Sequence, residues 1–334
     1  MRKERIFVAA LVWTAAALVL VGLAALLAWD PYPATERSYD RGTNGLWLGH
    51  RWFTGRGVRD DEPVTEPEIE ALVGTLARHG IRYAFVHVGP VLEDGRLADA
   101  PGPVLGEMLR RAPEVEWLAW LGARVERIPL REARFRGALV ETIAGLRDAG
   151  FAGVHFDFEP LHDRHPGYLE TLDAVRAAFP PPFRISQATP RAGPFGLSFG
   201  PLRASFWSEE FYRATMSRTD QTVVMAYDTG LDFTKGYVAF VRHQTGLLGR
   251  WACATPGHRL LIGVPSYEDV PTYSDPQVEN LRTASLGVRA ALEAGGPYAE
   301  CLEGVAVYAH WVTDESEWRD FERHWIAPGG TAAR

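Results

Sequence analysis

Short apolar runs alternate with longer amphipathic stretches along most of the chain, and this alternation predicts the fold. The longer stretches have helical spacing: the first begins at Thr65, which can form a capping box with Glu68, and ends at Gly80. Eight short runs read as strands, at residues 46–52, 82–88, 117–122, 152–159, 184–189, 222–227, 260–267 and 305–311. One run begins roughly every 32 to 45 residues, the length of one strand–helix unit. The pattern predicts a single α/β domain, a (β/α)₈ TIM barrel. The alternative is an open doubly wound sheet, which is less favoured because no Gly-rich phosphate loop follows any strand.

The first residues form a segment of a different kind. Three basic residues within 1–5 precede an apolar run at 6–28, whose 23 residues would span about 34 Å as a helix. That length covers the ~30 Å hydrocarbon layer of a bilayer, and the basic flank leaves the rest of the chain outside. The sequence predicts a transmembrane anchor at 1–29 and an extracytoplasmic catalytic domain, or a secreted protein if the segment is cleaved. A linker at 30–44, the barrel at 45–326 and a tail at 327–334 would follow.

Charge and cysteine content narrow the environment and the partners. The formal net charge is −7 and the charges are scattered, so the chain lacks the basic field that nucleic acid binding needs. As a separate expectation, the protein is a monomer. In an exported chain the two cysteines, Cys253 and Cys301, could form a disulfide. Each precedes a predicted strand, so both should lie near the amino-terminal face of the barrel on adjacent units.

The fourth predicted strand carries the strongest chemical signal. Apolar side chains hold its even positions, whereas His155, Asp157 and Glu159 hold the odd ones. In a barrel strand the odd positions would face the interior, with Glu159 at the carboxyl end, where the active sites of such barrels are built. Carboxyls clustered in a space with little water have shifted pKa values, which suits acid catalysis. Two alternatives stay open: an ion pair between His155 and Asp157 that fills the barrel, and a metal site made by all three side chains.

The same strand resembles that of the chitinase-like barrels of glycoside hydrolase family 18. Residues 152–159 match the Gly and the final Asp-x-Glu of that family's Asp-Gly-x-Asp-x-Asp-x-Glu pattern, while Ala152 and His155 replace its first two acids. Residues 225–228, Met-Ala-Tyr-Asp, are similar to the family's Met-x-Tyr-Asp, and residues 263–267 are similar to its Gly-x-Pro-x-Tyr. These motifs fall on strands four, six and seven in the expected order.

The resemblance weakens on two other strands. Residues 304–308 are close to the family's Gly-x-x-x-Trp, with Tyr308 where the sugar-stacking Trp is expected, and Trp311 is the other candidate for that role. The family's Ser-x-Gly-Gly on strand three is degraded at 120–123. In all, the resemblance covers about 46–325.

The resemblance implies retaining, substrate-assisted hydrolysis of β-glycosidic bonds in N-acetylglucosamine-containing glycans, such as chitin-like oligomers, peptidoglycan or N-glycans. Glu159 would protonate the glycosidic oxygen while the 2-acetamido oxygen of the substrate attacks the anomeric carbon. Asp157 would support the acetamido N–H, and Tyr227 with Asp228 would hold that group in position. Neither a metal nor a cofactor is required.

The remaining candidates are substrate-binding residues: His155, Tyr267, Tyr308, Trp311 and Trp52. His155 is hypothesised to tune Asp157, either as a cation that keeps it ionised or as a neutral ring that accepts its proton.

Plainer roles also remain open. Tyr227 and Tyr267 could be packing aromatics, and Asp228 could be a turn residue. The whole barrel could be a non-catalytic carbohydrate-binding protein, because two of the four strand acids are missing, or an unrelated barrel hydrolase with a metal at His155.

Overall fold

The computed structural model describes residues 29–193, 196–198, 200, 203, 205–267 and 275–329. Within these residues eight parallel strands close into a barrel, in which each strand pairs with the next along the chain and the last pairs with the first. The strands are β1 (Asn44–Leu48), β2 (Ile81–Pro90), β3 (Glu116–Arg124), β4 (Gly153–Glu159), β5 (Arg184–Thr189), β6 (Gln221–Met225), β7 (Arg259–Pro265) and β8 (Leu302–Tyr308). The closure confirms the predicted barrel and excludes the open doubly wound sheet.

Helices lie between successive strands and after the last strand. They are α1 (Arg51–Thr54), α2 (Glu66–Arg78), α3 (Pro103–Arg111), α4 (Ala133–Asp148), α5 (Pro166–Ala178), α6 (Glu209–Met216), α7 (Thr234–Cys253), α8 (Leu281–Glu293) and α9 (Glu315–Phe321), with a π-helical turn at Glu322–Ile326 and 3₁₀ turns at Val125–Arg127 and Pro297–Glu300. The predicted capping interaction is present at the start of α2, where the Glu68 carboxylate accepts a hydrogen bond from the Thr65 backbone N–H at 2.8 Å. It satisfies a backbone donor near the helix start, and α2 begins where the sequence predicts it.

Several strands end earlier than their apolar runs predict. β1 stops at Leu48 rather than at 52, so Trp52 lies in α1, and β8 stops at Tyr308 rather than at 311. β6 and β7 stop at Met225 and Pro265, two residues before their runs end. The segments that follow pack back against the barrel, so apolar residues continue after the ladder hydrogen bonds stop; Trp52, for example, is only 3 % exposed.

The alternation along β4 places its side chains as predicted. Val154, Phe156 and Phe158 belong to the large core between the strands and the helices. His155 points the other way, and its ring stacks on Phe85 inside the barrel with centroids 4.0 Å apart. A second cluster fills this interior: Trp47, Tyr83, Phe85, Leu118, Trp120, Val223, Leu261, Ala306 and Ala309.

The two cysteines form a disulfide that joins adjacent units. Cys253 ends α7 and Cys301 directly precedes β8, and their Cα atoms lie 5.4 Å apart. The pair therefore lies at the amino-terminal face of the barrel, as the sequence predicted.

The predicted membrane anchor, residues 1–29, lies outside the described residues except for Trp29. Among those that are described, no helix has the length and apolar character needed to cross a bilayer. Residues of the predicted linker contact the barrel domain: the Ser38 hydroxyl donates to the Ile326 carbonyl at 2.7 Å, and Arg41 Nη2 donates to the Ala299 carbonyl at 2.7 Å.

Candidate active site

Asp157 lies at the mouth of the barrel, near the carboxyl end of β4. Its Oδ2 accepts a hydrogen bond from Trp120 Nε1 at 2.9 Å, while its Oδ1 is buried without a hydrogen-bond partner among the described residues. Burial first, and the neighbouring Glu159 second, raise the pKa of Asp157 to about 8, although the Trp120 hydrogen bond acts in the opposite direction. Asp157 is therefore mostly protonated at neutral pH.

Glu159 is the last residue of β4 and lies at the more open end of the same interior row. Desolvation by the surrounding protein raises the pKa of its carboxyl, and the negative charge of Asp228 raises it further. Arg191 lowers it. A carboxyl that keeps its proton to higher pH and still reaches the open mouth has the properties of a general acid.

His155 occupies the next interior position below Asp157. Its Nδ1 lies 2.8 Å from Ser186 Oγ, and its Nε2 is buried without a partner in the described part of the chain. Burial lowers its pKa to about 3, so the imidazole is neutral.

Neither alternative arrangement for β4 is found. No hydrogen bond or ion pair joins the described side chains of His155 and Asp157: His155 Nδ1 contacts Ser186, and its Nε2 and Asp157 Oδ1 have no partner. Within the ranges given above, no group of three or more His, Cys, Asp or Glu side chains is arranged to hold a metal ion.

Tyr227 and Asp228 form a turn directly after β6 that faces these carboxyls. Tyr227 is 5 % exposed, and its ring stacks on Tyr308 with centroids 5.5 Å apart and planes 22° apart. Asp228 has φ = 55°, in the left-handed region that side-chain-bearing residues rarely adopt. The Tyr267 hydroxyl donates a hydrogen bond to Asp228 Oδ1. The structure therefore brings Tyr227, Asp228 and Tyr267 together beside β4.

Two residues that the sequence analysis did not single out hold this turn. Arg191 Nη1 donates to the carbonyls of Tyr227 and Asp228 at 2.6 and 2.7 Å. On the other side, the buried Glu279 carboxylate accepts from the Thr229 N–H at 2.9 Å and from the Thr229 hydroxyl at 2.6 Å. Arg191 lies two residues after the end of β5, at the carboxyl end of a barrel strand. That position is the feature of the sequence that could have identified it as a site residue.

Aromatic side chains surround the mouth. Trp311 is 50 % exposed, and its ring lies nearly parallel to Trp120, with an interplanar angle of 11° and centroids 6.3 Å apart. Tyr308 lies deeper and contacts both of these rings edge-on. Trp52 is not brought to the mouth: it is buried in α1, where its ring contacts His310.

The arrangement combines two carboxyls of raised pKa, a fixed tyrosine and exposed aromatic surface at one end of the barrel. A ligand there would meet proton donors and acceptors together with flat apolar rings. Sugars offer hydroxyl groups at their edges and C–H faces above and below the ring, so this combination suits them.

Comparison with known proteins gives a fold relationship. No protein-family profile and no curated protein matches the chain. Among solved structures, the chain is similar to the spore cortex-lytic enzyme SleL of Bacillus cereus, with 13% identity and a TM-score of 0.57 over 85% of this chain and 74% of that one. It is also similar to a family 18 chitinase of Chromobacterium violaceum, with 13% identity and a TM-score of 0.56 over 87% of this chain and 85% of the other. A chitinase from Bacteroides thetaiotaomicron matches with 13% identity and a TM-score of 0.55 over 87% and 99%.

At this level of identity the likeness establishes a shared barrel fold. The motifs in the sequence resemble family 18, and the structural neighbours include barrels of that family, so the two lines of comparison agree on the fold that was expected.

Proposed function

We propose that the protein is a glycoside hydrolase of the family 18 type, which cleaves β-glycosidic bonds in N-acetylglucosamine-containing glycans. The observation that carries the proposal is the pair Asp157 and Glu159, two positions apart on β4, with both pKa values raised at the barrel mouth. Fold neighbours named as chitinases and as a cortex-lytic enzyme support the substrate class.

In the first step Glu159 donates its proton to the glycosidic oxygen as the bond from that oxygen to the anomeric carbon breaks. The carbonyl oxygen of the substrate's 2-acetamido group forms a bond to the same carbon and displaces the leaving sugar. In the second step a water molecule gives a proton to Glu159 and attacks the anomeric carbon, which reopens the ring formed by the acetamido group. Two displacements at one carbon retain the β configuration.

The neighbouring residues position the acetamido group. Asp157 accepts a hydrogen bond from the acetamido N–H as positive charge develops there, and Trp120 keeps the Asp157 carboxyl oriented. Tyr227 offers its hydroxyl at the same place, because its ring is fixed against Tyr308. Trp311 provides an exposed ring on which a second sugar can stack.

The test is hydrolysis by the purified protein. We expect turnover of N-acetylglucosamine oligomers or peptidoglycan glycan strands and none of non-acetylated glucans, because the nucleophile belongs to the acetamido group. Glu159→Gln should lower kcat by about 10² to 10⁴, the range of a general acid. The matched control is Glu93→Gln, an exposed glutamate after β2 at the same end of the barrel, which should leave kcat unchanged.

Four results would contradict the proposal. Equal turnover by Glu159→Gln would show that another group is the acid, and hydrolysis of non-acetylated glucans would show that acetamido participation is not required. Inverted anomeric configuration of the first product, followed by proton NMR, would exclude the two-step reaction. Saturable glycan binding without any product would instead favour a carbohydrate-binding protein.

We also propose that residues 1–28 hold the catalytic domain at the outer face of a membrane, or export it if they are removed. Support comes from the apolar run in that segment and from the Cys253–Cys301 disulfide, a bond that persists in oxidising compartments. Fractionation of cells expressing the full chain tests this, with protease added outside: a soluble, protease-protected protein would contradict it.

A further inference from the structure

A row of hydrogen-bonded side chains runs inside the barrel from its amino-terminal end to the candidate site. Glu303, near the start of β8, accepts a hydrogen bond from Gln221 Nε2 at 3.1 Å. Gln221 Oε1 lies 2.8 Å from Ser186 Oγ, and Ser186 Oγ lies 2.8 Å from His155 Nδ1. His155, Ser186 and Gln221 are fully buried, and Glu303 also faces Arg259, with Nε and Oε1 3.9 Å apart.

The direction of each hydrogen bond in this row follows from its first member. A carboxylate only accepts, so Gln221 must turn its NH₂ group toward Glu303 and its carbonyl oxygen toward Ser186. Ser186 must then use its hydroxyl proton to donate to Gln221. The hydroxyl oxygen of Ser186 still has lone pairs that face His155. His155 Nδ1 must therefore carry the ring proton and donate a hydrogen bond to Ser186.

This assignment leaves a lone pair on His155 Nε2. That nitrogen is buried without a partner, and so is Asp157 Oδ1 on the next interior position of the same strand, about 6–7 Å farther along. The two atoms are complementary as hydrogen-bond partners: Nε2 can accept a hydrogen bond, and a protonated Oδ1 can donate one. Aromatic carbon encloses the imidazole, with Phe85 stacked at 4.0 Å and Trp47 edge-on at 5.7 Å between centroids.

We infer that Glu303, through Gln221 and Ser186, fixes His155 as the Nδ1–H tautomer, so that Nε2 accepts the acid proton of Asp157. The two atoms are not hydrogen-bonded in the structure, so the inference requires the Asp157 carboxyl to turn toward His155. His155 is thus a positioning residue. No proton is transferred to it; it determines which oxygen of Asp157 carries the proton.

The consequence concerns the other oxygen of Asp157. With the proton on Oδ1 and directed at His155, Oδ2 is left as a bare acceptor toward Trp120 and the mouth. This role in turnover rests on the proposed glycosidase function, whereas the tautomer of His155 does not depend on it.

The His155 ring stays neutral in its surroundings, so its tautomer can be measured directly. Ser186 of β5 contacts it from one side, Phe85 and Trp47 from β2 and β1 enclose the ring, and Asp157 is the titratable neighbour along β4. Burial, with no charged neighbour contributing, accounts for its low pKa, so the neutral ring persists through the pH range in which the protein would be studied.

Long-range ¹H–¹⁵N correlation spectra of ¹⁵N-labelled protein identify which ring nitrogen carries the proton. For His155 we expect a protonated Nδ1 and an unprotonated Nε2 that shows the shift of a hydrogen-bonded acceptor. Gln221→Met removes the acceptor for Ser186, frees that hydroxyl to donate to His155, and should move the ring to the Nε2–H tautomer. The matched control is Gln187→Met on the same pair of strands, which removes a buried glutamine that bonds Thr215 and Thr222 on the outer face and should leave the tautomer unchanged.

An Nε2–H tautomer in the wild type would overturn the inference without any variant. An unchanged Nδ1–H tautomer in Gln221→Met would overturn the role of Glu303 and Gln221 in setting it.

Kinetics test the role of the acceptor. His155→Leu removes it and should lower kcat on the order of tenfold to a hundredfold with little change in KM, the cost of leaving the buried Asp157 proton without an acceptor, whereas His155→Gln offers an amide acceptor in the same place and should recover most of that loss. Equal loss in both variants would indicate a packing role and contradict the inference. If no glycan is turned over at all, the proposed function fails, and the NMR result still decides the tautomer.

Discussion

Asp157 should make the protein less stable as the pH rises, and Asp157→Asn should remove that effect. The folded protein raises the pKa of this carboxyl from an ordinary value of 3.8 to about 8. Between these two values the folded state binds more protons than the unfolded state. The free energy of unfolding therefore falls as the pH rises through this window, and the loss is complete above the folded pKa.

The size of the effect follows from the same two values. Each pH unit inside the window removes about 1.4 kcal/mol, so the full loss between 3.8 and about 8 is at most about 6 kcal/mol. Asn mimics the protonated carboxyl: its oxygen can still accept from Trp120, and its NH₂ can occupy the Oδ1 position. The variant should resemble the wild type near pH 4 and exceed it in stability near pH 8.

Urea unfolding at a series of pH values measures this directly, with the free energy of the wild type subtracted from that of Asp157→Asn at each pH. The subtraction cancels the buried histidines, which titrate equally in both proteins. Glu159→Gln serves as the comparison. It removes the negative charge that is the second-largest cause of the raised pKa of Asp157, so the pH-dependent loss of stability should end at a lower pH. A difference that stays flat or falls between pH 4 and 8 would refute the argument that Asp157 is held protonated.

Three further predictions concern the supports of the site. Trp120→Phe removes the hydrogen bond that favours ionised Asp157, so the pKa of Asp157 should rise by roughly 1 to 2; in urea unfolding at a series of pH values, a stability decline that does not extend to higher pH than in the wild type would contradict this. Arg191→Met releases the turn after β6 and should lower kcat/KM about tenfold, the value of one net hydrogen bond, without a change in the circular dichroism spectrum. Replacing Cys253 and Cys301 by Ser reopens a loop of 48 residues and should cost about 4 kcal/mol in urea unfolding while kcat at 25 °C stays the same; equal stability would mean that the bond does not form.

The barrel could be predicted from the sequence because its signals are local and repeated. A strand buried on its outer face by helices and on its inner face by other strands is a short apolar run, and each helix shows an apolar stripe. The orientation of His155, Asp157 and Glu159 also followed from local alternation, since side chains on a strand point to opposite faces in turn.

What could not be predicted depends on contacts between distant segments. Nothing near Arg191 in the sequence indicates that it binds the carbonyls of Tyr227 and Asp228, 36 and 37 residues away. Trp52 was assigned to a strand end because an apolar run gives no sign of where ladder hydrogen bonds stop and a short helix begins. The partner of His155 was likewise hidden, because Ser186 is an ordinary strand residue until β4 and β5 are paired in register.

The left-handed conformation of Asp228 is held by contacts from three separate segments of the chain. A left-handed backbone at a residue with a side chain is costly and persists only where its surroundings impose it. Here three supports from separate segments impose it: Arg191 after β5, Tyr267 after β7 and Glu279 before α8. None of them contributes to barrel closure, which the strand ladders achieve on their own. Under the proposed function, this turn presents the Tyr227 hydroxyl and the Asp228 carboxyl to the acetamido group of the substrate beside the acids of β4.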